Sequence, residues 1–364
     1  MAKPVIGVLT YRNGKKFFEP TFFRHLIQEG KKLGAIVFLF GPHDVQLAKR
    51  KIKGFTPGAD KTWKKVEFDW PDIVIDRYRY YPRPQHKDYL AFRRKPLFEY
   101  ANSQFKSKWK VHEALSGEDE MIVWLPETHV FSKEKLDLMR KEHPLLYVKP
   151  TNGTAGRSIL RIQRNTSSYS VLGRTLSLKK IVKDALSYEE LVSFIANWTK
   201  DERLGKEKFL LQQGIDLELI KGRMVDTRIL IQKNELGDWN VTGLGIRVGG
   251  SNSSTSNLHG GGKAYDPLEV LTKRFGEKMA KEVLTKCRAL AYQTAESVEK
   301  IYGRMFELGL DVGIDVSGDV YLIEINPKPG RDIFRQLNQI ETYREAVRRP
   351  LQYALLLLKG RVTV

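Results

Sequence analysis

Apolar and polar residues alternate on both sides of Ser317-Gly318, and this pattern predicts an antiparallel hairpin within Leu310–Gly330. If those two residues form the loop, Val316 lies opposite Asp319. One face of the hairpin is then continuously apolar, as expected of a strand pair that covers a core. The residues of this face are Val312, Ile314, Val316, Tyr321, Ile323 and Ile325.

The other face of the hairpin carries acids. The same register places Asp311 opposite Glu324, and Asp315 and Asn326 share their face. Like charges directly opposed on paired strands are destabilising, so we expect a cation between Asp311 and Glu324. Carboxylate and amide oxygens are typical magnesium ligands, and water and nucleotide phosphates usually complete the coordination. An ordinary surface hairpin with its polar residues facing outward is the alternative.

The amino-terminal pattern predicts a β-α-β arrangement. A short apolar run, an amphipathic helix and two further apolar runs follow one another at Pro4–Thr10, Thr21–Leu33, Ala35–Phe40 and Asp72–Ile75. This order predicts a small parallel sheet in a Rossmann-like domain of residues 1–105.

Residues 106–364 have a mixed pattern, which we divide into subdomains of residues 106–207 and 208–364. The fold class is therefore α/β in front and α+β behind. Helices are predicted at Ser103–Leu115, Leu268–Tyr302 and Tyr343–Leu358. Strands are predicted at Leu145–Lys149, Ser158–Ile162, Lys208–Leu219, Met224–Gln232 and Asn240–Val248.

Length and composition indicate a soluble enzyme of several domains. A chain of 364 residues with 41% hydrophobic residues can bury two or three cores. Cys287 is the only cysteine, which excludes an internal disulfide and a cysteine-rich zinc site and favours the cytoplasm. No stretch approaches the ~20 apolar residues of a membrane span, and no apolar signal core opens the chain. We therefore expect neither export nor a membrane anchor.

The formal charge of +19 is concentrated in one region. Residues 49–110 contain seventeen Lys or Arg against seven Asp or Glu. Such density attracts polyanions, which include nucleic acid, anionic cell-wall polymers, acidic peptides and nucleotide phosphates. A solvated basic surface is the alternative. The same region is rich in aromatic residues, which either stack on bases or sugars or belong to the core: Trp63, Trp70, Tyr78, Tyr80, Tyr81, Tyr89 and Phe92.

Two further motifs are suited to nucleotide binding. In YVKPTNGTAGRSI, Lys149 ends a strand, and Gly153 and Gly156 let backbone N–H groups approach phosphate oxygens. In FLLQQGIDLEL, an apolar strand ends at Gln213-Gly214-Ile215, which can present backbone groups to an adenine edge. A plain hairpin turn and an edge strand are the respective alternatives.

Two more segments have residues suited to phosphate or substrate binding. In VDTRILIQ, Asp226 and Arg228 share one strand face, and a fixed arginine can neutralise charge during phosphoryl transfer; a surface ion pair is the alternative. The Gly/Ser/Asn-rich loop that ends TSNLHGGG has the composition of a lid, with Asn257 and His259 as polar contacts, or of an inert linker.

Taken in order, these motifs resemble the ATP-grasp superfamily. The resemblance rests on VKPTNGTAG, QQGID, DTR, SNLHGGG and LDVGIDVSGDVYLIEIN, and it covers about residues 105 to 355. Within the superfamily the chain is most similar to the YheC/YheD family, which is associated with the Bacillus endospore coat. The segments PDIVIDRYRY and QQGIDLELIKGRMVDTRILIQKN carry this narrower likeness.

The resemblance implies a nucleotide held between two α+β subdomains, behind a Rossmann-like pre-ATP-grasp domain. Lys108 and Lys149 resemble the phosphate-binding lysines, and Arg228 the arginine on the transferring phosphate. Asp311, Glu324 and Asn326 resemble the magnesium ligands. The remaining nucleotide contacts that the resemblance implies are Gly153, Thr154, Ala155, Gly156, Gln213, Gly214, Ile215, Asp216, Glu218 and Asn257.

The activity that the resemblance implies is ATP-dependent ligation of a carboxylate to an amine through an acyl phosphate, with Mg²⁺. The substrates are unknown, and an anionic polymer or an acidic peptide would suit the basic charge. The family association places the protein in the mother-cell cytoplasm or with the spore. Two other functions stay open: a non-catalytic ATP-binding protein of the endospore coat, and a polyanion-binding protein for which nucleic acid is not excluded.

Overall fold

The computed structural model describes residues 2–79, 85–105, 108–151, 157–203, 208–249 and 262–360. Three large β-sheets, each with helices packed against it, account for most of these residues. Among them we find no helix that combines the length and the apolar composition needed to span a bilayer.

The first sheet has a parallel centre and an antiparallel edge. Its region contains β1 (Val5–Leu9), β2 (Arg12–Asn13), β3 (Lys16–Phe17), α1 (Pro20–Lys32), β4 (Ile36–Phe40), β5 (Val45–Gln46), β6 (Lys51–Pro57), β7 (Trp63–Asp69), β8 (Ile73–Asp76) and α2 (Gln85–Arg93). β1 pairs in parallel with β4 and β8, as the β-α-β pattern predicts. The β-α-β pattern did not predict β5, β6 and β7, which add antiparallel strands beyond β4.

The second sheet is antiparallel throughout. Its region contains α3 (Lys108–Leu115), α4 (Asp119–Ile122), β9 (Thr128–Val130), α5 (Lys133–Glu142), β10 (Leu145–Pro150), β11 (Ile159–Arg164), β12 (Tyr169–Arg174), β13 (Lys180–Leu186), α6 (Tyr188–Asp201) and β14 (Phe209–Gln213). The strand order is β13-β12-β11-β10-β14-β9. The long segment after Ile162 forms β12 and β13, which widen the sheet on the side away from β14. The strand predicted over Lys208–Leu219 ends at Gln213. The helix predicted over Ser103–Leu115 is helical at Lys108–Leu115, whereas residues 103–105 are not helical.

The third sheet has the order β17-β16-β15-β18-β19. Its region contains β15 (Val225–Lys233), β16 (Trp239–Val248), β17 (Lys263–Tyr265), α7 (Pro267–Phe275), α8 (Glu277–Tyr302), β18 (Glu307–Ile314), β19 (Val320–Asn326), α9 (Asp332–Gln336) and α10 (Ile340–Lys359). The single helical region predicted over Leu268–Tyr302 is two helices. Gly276, with φ 82°, ends α7 in a backbone conformation that favours glycine.

The tip of the hairpin between β18 and β19 is longer than predicted. β18 ends at Ile314, which pairs with Val320, so the predicted pairing of Val316 with Asp319 is wrong. Asp315 holds the turn instead. Its Oδ1 accepts two backbone N–H groups of the turn, at 2.9 Å each. This local capping is a common use of aspartate in turns and accounts for Asp315 without a metal.

A β-bulge restores the predicted register deeper in the same hairpin. The irregularity lies between Asp311 and Val312, where Ile323 is the extra residue of β19, and Asp311 therefore lies opposite Glu324 as predicted. The bulge also changes which side chains reach the core. Val320 and Leu322 are buried. Tyr321 and Ile323, which were predicted to face the core, are only partly buried.

The amino-terminal sheet shares its core with the rest of the chain. Phe23 and Leu26 of α1 belong to the same apolar cluster as Val347 and Leu351 of α10. The division at residue 105 stays a prediction. The shared cluster fixes the first sheet against the third, so that groups at the carboxyl end of β8 meet the segment that follows β19.

Candidate functional site

A cleft of about 290 Å³ lies between the second and third sheets and is bounded at one side by α3. In β10, buried Leu146 and Val148 face α5 and α6, while Tyr147 and Lys149 face the cleft, as strand alternation requires. Of the residues predicted for the nucleotide and metal site, those that line the cleft are Lys149, Gln213, Ile215, Asp311 and Glu324.

Charged side chains from four neighbouring strands form a row across the third sheet, which we call the charge ladder. Its members are Asp226, Arg228, Arg247, Asp311 and Glu324. Arg228 lies opposite Asp311, Asp311 opposite Glu324, and Asp226 opposite Arg247. The Nε of Arg228 donates to Oδ1 of Asp311 at 2.6 Å, and the Nη2 of Arg247 lies 3.1 Å from the same oxygen. Arg247 also forms a two-bond ion pair with Asp226.

The charge ladder keeps Asp311 ionised in a buried position. Burial alone would raise the pKa of Asp311, but Arg228 and Arg247 lower it below its ordinary value. Both arginines meet Oδ1 of Asp311, and a metal ion would be held by the remaining coordination capacity of this carboxylate. Three acids against two arginines leave the ladder with one net negative charge. Hard oxygens and an excess of negative charge fit Mg²⁺ at Asp311 and Glu324.

Lys149 reaches into the cleft from the opposite sheet. Its Nζ donates to Oε1 of Gln212 at 2.6 Å, and the Nε2 of Gln212 donates to Thr128 at 2.8 Å. Gln212 is buried, so this chain of hydrogen bonds fixes the direction of the lysine. A fixed ammonium group faces the acids of the charge ladder across the cleft, which is the arrangement expected around the phosphates of a nucleotide.

His112 of α3 lines the same cleft and is neutral at physiological pH. Burial, together with the nearby positive charge of Lys149, lowers the pKa of His112 from 6.5 to about 4. The folded protein therefore binds this proton less readily than the unfolded chain. Stability from neutral His112 is complete above pH ~6.5 and is lost as the pH falls towards ~4.

We expect His112→Gln to remove this pH-dependent contribution. Between pH ~7 and pH ~5, the difference in unfolding free energy between wild type and variant should shrink by about 2 kcal/mol. Urea unfolding at several pH values measures this difference. His43→Gln is the control for the loss of a histidine at an exposed position. A constant difference for His112→Gln across this range would contradict the assigned protonation state.

The segment that follows β14 crosses the end of the cleft. The backbone N–H of Gln213 donates to the carbonyl of Glu127, and the side-chain Oε1 of Gln213 accepts from the N–H of Glu127. The N–H of Gly214 donates to Leu145, so it is not directed at a ligand. Ile215 is buried and lines the cleft. The segment is thus tied to β9 and β10.

Asp216 and Glu218, which the family resemblance implies as nucleotide contacts, stabilise this segment. Oδ1 of Asp216 accepts the N–H of Glu218 at 3.1 Å, and Oε2 of Glu218 accepts the N–H of Gly222 at 3.3 Å. Neither carboxylate lines the cleft described above, although Asp216 lies near enough to Tyr147 to help raise the pKa of that phenol, which burial raises first.

Gly214 is the position in this segment where a side chain does not fit. A Cβ at Gly214 would lie 2.2 Å from Cγ and 2.8 Å from the carbonyl oxygen of Leu145. We expect Gly214→Ala to destabilise the protein by about 1–3 kcal/mol, because the backbone of β10 must move. Gly117→Ala is the matched control, since its nearest neighbour is 3.5 Å away. Equal urea midpoints for both variants would contradict this close packing.

The segment that follows Asn326 is anchored in the first sheet. Nζ of Lys328 donates to Oδ1 of Asp76 at 2.8 Å and to the carbonyl of Tyr78 at 2.7 Å. Burial lowers the pKa of Lys328 even though Asp76 opposes this. The ion pair is nearly inaccessible to water on the aspartate side. The end of β19, with Asn326, is therefore held by the amino-terminal region.

The other predicted site residues have the following places. Asn326 is partly buried on the same strand face as Glu324 and lies opposite Gly309. Lys108 is the first residue of α3. Gly153, Thr154, Ala155, Gly156, Asn257 and His259 lie outside the described residues.

Sequence reasoning missed several side chains of the cleft. Arg247 is the main omission. An arginine between Ile246 and Val248 in an apolar strand was a usable signal, because a charge there needs a buried partner. Gln212 and His112 had no comparable signal, since their roles depend on contacts with distant strands.

The aromatic residues of the basic region belong mainly to the core. Trp63, Tyr78, Tyr89 and Phe92 are buried and so do not form an exposed stacking surface. Some of the charge is neutralised locally, because Lys51 pairs with Asp69 across β6 and β7. Tyr80 and Tyr81 lie outside the described residues.

Comparison with known proteins gives a consistent result. A family model described as "YheC/D like ATP-grasp" matches residues 97–357. The chain is 29% identical over 374 residues to "Endospore coat-associated protein YheD" of Bacillus subtilis (strain 168). This match covers 99% of this chain and 80% of that protein. It is structurally similar to D-cycloserine synthetase DcsG, with a TM-score of 0.54, 13% identity and coverage of 96% and 99% of the two chains. For the VanG D-Ala:D-Ser ligase from Enterococcus faecalis the TM-score is 0.52, with 12% identity and coverage of 97% and 100%.

Proposed function

Because the chain belongs to the YheC/D-like ATP-grasp family and has the ATP-grasp fold, as its motifs predict, we propose that it is an ATP-dependent carboxylate-amine ligase. The observation that supports this most directly is the charge ladder, whose acids Asp226, Asp311 and Glu324 line the same cleft as Lys149. A site of this kind contains what phosphoryl transfer requires, namely positioning groups and opposite charges, without a covalent nucleophile.

The roles that we propose follow from the contacts. Lys149 binds nucleotide phosphate oxygens, and its link to Gln212 fixes its position. Arg228 neutralises charge on the transferring phosphoryl group, and Asp311 orients the arginine through the 2.6 Å hydrogen bond. Gln213 and Ile215 border the adenine. Asp311, Glu324 and Asn326 would hold Mg²⁺. When bound, this ion neutralises charge on the phosphate oxygens and so supports transfer of the phosphoryl group.

The reaction proceeds in two steps. A carboxylate oxygen of the donor attacks the γ-phosphorus of ATP, the bond to the bridging oxygen breaks, and ADP leaves with that electron pair. The amine then attacks the carbonyl carbon of the acyl phosphate, and inorganic phosphate leaves as the amide forms. His112 is neutral at physiological pH and adds no positive charge to the cleft. Apolar side chains such as Leu210 and Ile323 limit water access to the activated carboxyl group.

A second function is a non-catalytic ATP-binding protein of the spore coat. The name of the Bacillus subtilis relative, an endospore coat-associated protein, is the observation that favours it. In that case the cleft would bind nucleotide without turnover. The complete charge ladder favours the ligase, because binding alone does not require an arginine beside the metal-ligand acid.

ADP release over a grid of carboxylates and amines distinguishes these functions. The grid should include acidic peptides and anionic cell-wall polymers, because the chain carries a formal charge of +19. The ligase predicts release that requires both one carboxylate and one amine. ¹⁸O in the donor carboxylate should then appear in the released phosphate. Nucleotide binding with no release for any pair would favour the non-catalytic function.

A further inference from the structure

A second group of ionisable side chains, which we call the His/Glu cluster, lies outside the cleft. Its members are Glu127, His129, Glu142 and His143. Oε2 of Glu127 lies 2.8 Å from Nε2 of His143, and Oε1 of Glu127 lies 2.7 Å from Nε2 of His129. One ligand atom each of Glu127, Glu142 and His143 lies within 4.8 Å of the other two. None of these residues has a part in the proposed ligase chemistry.

The fold brings the His/Glu cluster together from two elements. Glu142 is the last residue of α5, and His143 follows it as the C-cap. The carbonyl end of a helix carries partial negative charge and favours a cation. Glu127 directly precedes β9, and its backbone exchanges two hydrogen bonds with Gln213. The cluster therefore joins the end of α5 to the segment that crosses the nucleotide cleft.

We propose that Glu127, Glu142 and His143 bind one transition-metal dication of the zinc class, and that His129 orients Glu127 by donating Nε2–H to its second oxygen. Two carboxylates balance the charge of a dication, and an imidazole nitrogen favours zinc-class metals over magnesium or calcium. The ion would take the place of the direct contact between Nε2 of His143 and Oε2 of Glu127. Water completes the coordination at this partly exposed position.

A metal ion in the His/Glu cluster connects α5 with the segment around Gln213. Outer hydrogen-bond partners such as His129 are known to affect metal affinity by about 10–100-fold in other sites. Because the backbone of Glu127 is hydrogen-bonded to Gln213, an ion bound at Glu127 would restrict the motion of the segment that borders the adenine. This role is independent of whether the cleft performs ligation.

Titration of the full-length, metal-free protein with Co²⁺ as a spectroscopic probe, and with Zn²⁺ in competition, tests the site. In excess Mg²⁺, which competes for the oxygen ligands of Asp311 and Glu324, we expect one saturable Co²⁺ site with visible absorption, and displacement of Co²⁺ by Zn²⁺. Glu127→Gln and His143→Gln should each weaken Co²⁺ binding at least about tenfold. Metal should also raise the melting temperature of the wild type and not that of the variants. The only cysteine, Cys287, is buried and does not compete.

His43→Gln is the matched control. His43 forms an exposed pair with Asp88 at 3.2 Å, which has the same chemical groups but no third metal-ligating side chain among the described residues. The control should bind Co²⁺ as the wild type does. Unfolding curves in the presence of a chelator establish that the two site variants are folded. Absence of saturable binding in the wild type, or equal binding in wild type and both folded site variants, would overturn the proposal.

Discussion

Replacement of Asp311 by asparagine is expected to lower ATP turnover by at least about a hundredfold, and Glu324→Gln to do the same. Each change removes one of the two carboxylates that face each other at the metal position. In Asp311→Asn, Arg228 and Arg247 also lose the negative charge of the carboxylate that both contact. The hydrogen bond that orients Arg228 becomes weaker, and Arg247 keeps its ion pair with Asp226 but loses its second anionic partner.

Turnover is measured as ADP release with the carboxylate and amine pair that supports it, over a range of Mg²⁺ concentrations. Asp319→Asn is the control, because this acid lies in the same hairpin but is exposed and pairs with Lys286. It should retain nearly normal turnover. Wild-type turnover in Asp311→Asn at low Mg²⁺ would rule out the metal role of the hairpin acids.

Removal of the Glu307 side chain is expected to cause the largest loss of stability. Glu307 lies between two buried arginines: Oε1 is 2.7 Å from Arg77, and Oε2 contacts Arg331. All three side chains are at most 2% exposed. Glu307→Ala leaves two buried guanidinium groups without this partner, and such losses cost about 3–5 kcal/mol. Arg77 comes from the first sheet, so the variant should also loosen the contact between that sheet and the third.

Urea unfolding measures this loss. Lys281→Ala, which breaks an exposed pair with Glu277, is the control and should leave the unfolding free energy nearly unchanged. Nucleotide affinity should fall in Glu307→Ala as well, because Arg77 and Arg331 both bond the carbonyl of Pro329, three residues after Asn326. Equal stability of Glu307→Ala and Lys281→Ala would show that the buried charges do not couple the two regions.

The sequence predicted the acid pair of the hairpin because alternation and turn residues are local signals. Asp311 does lie opposite Glu324. The predicted strand pairing next to the turn was out of register by one residue. The bulge at Ile323 restores the predicted register at Asp311. A bulge depends on how both strands fit the sheet and the helices below it, and β-period alone does not reveal this.

The parts of the fold that the sequence did not reveal depend on distant contacts. β6 and β7 contain lysines and acids on exposed positions, so their apolar alternation is weak. The break at Gly276 was not predicted because the helical pattern continues on both sides of it. The pairing of Arg247 with Asp311 connects strands β16 and β18 across β15, and the order of strands in a sheet is not encoded locally.

Calorimetric titration with MgADP is the most direct measurement of the central claim, which is that the cleft between the second and third sheets binds a magnesium nucleotide. We predict one site whose affinity depends on Mg²⁺. Lys149→Met should weaken binding at least about tenfold, since a charge-assisted contact to phosphate is lost. Glu324→Gln should reduce the dependence on Mg²⁺, and Lys180→Met, at an exposed lysine of β13, should have no effect. The absence of saturable binding, or binding that neither Lys149→Met nor Glu324→Gln changes, would contradict the account.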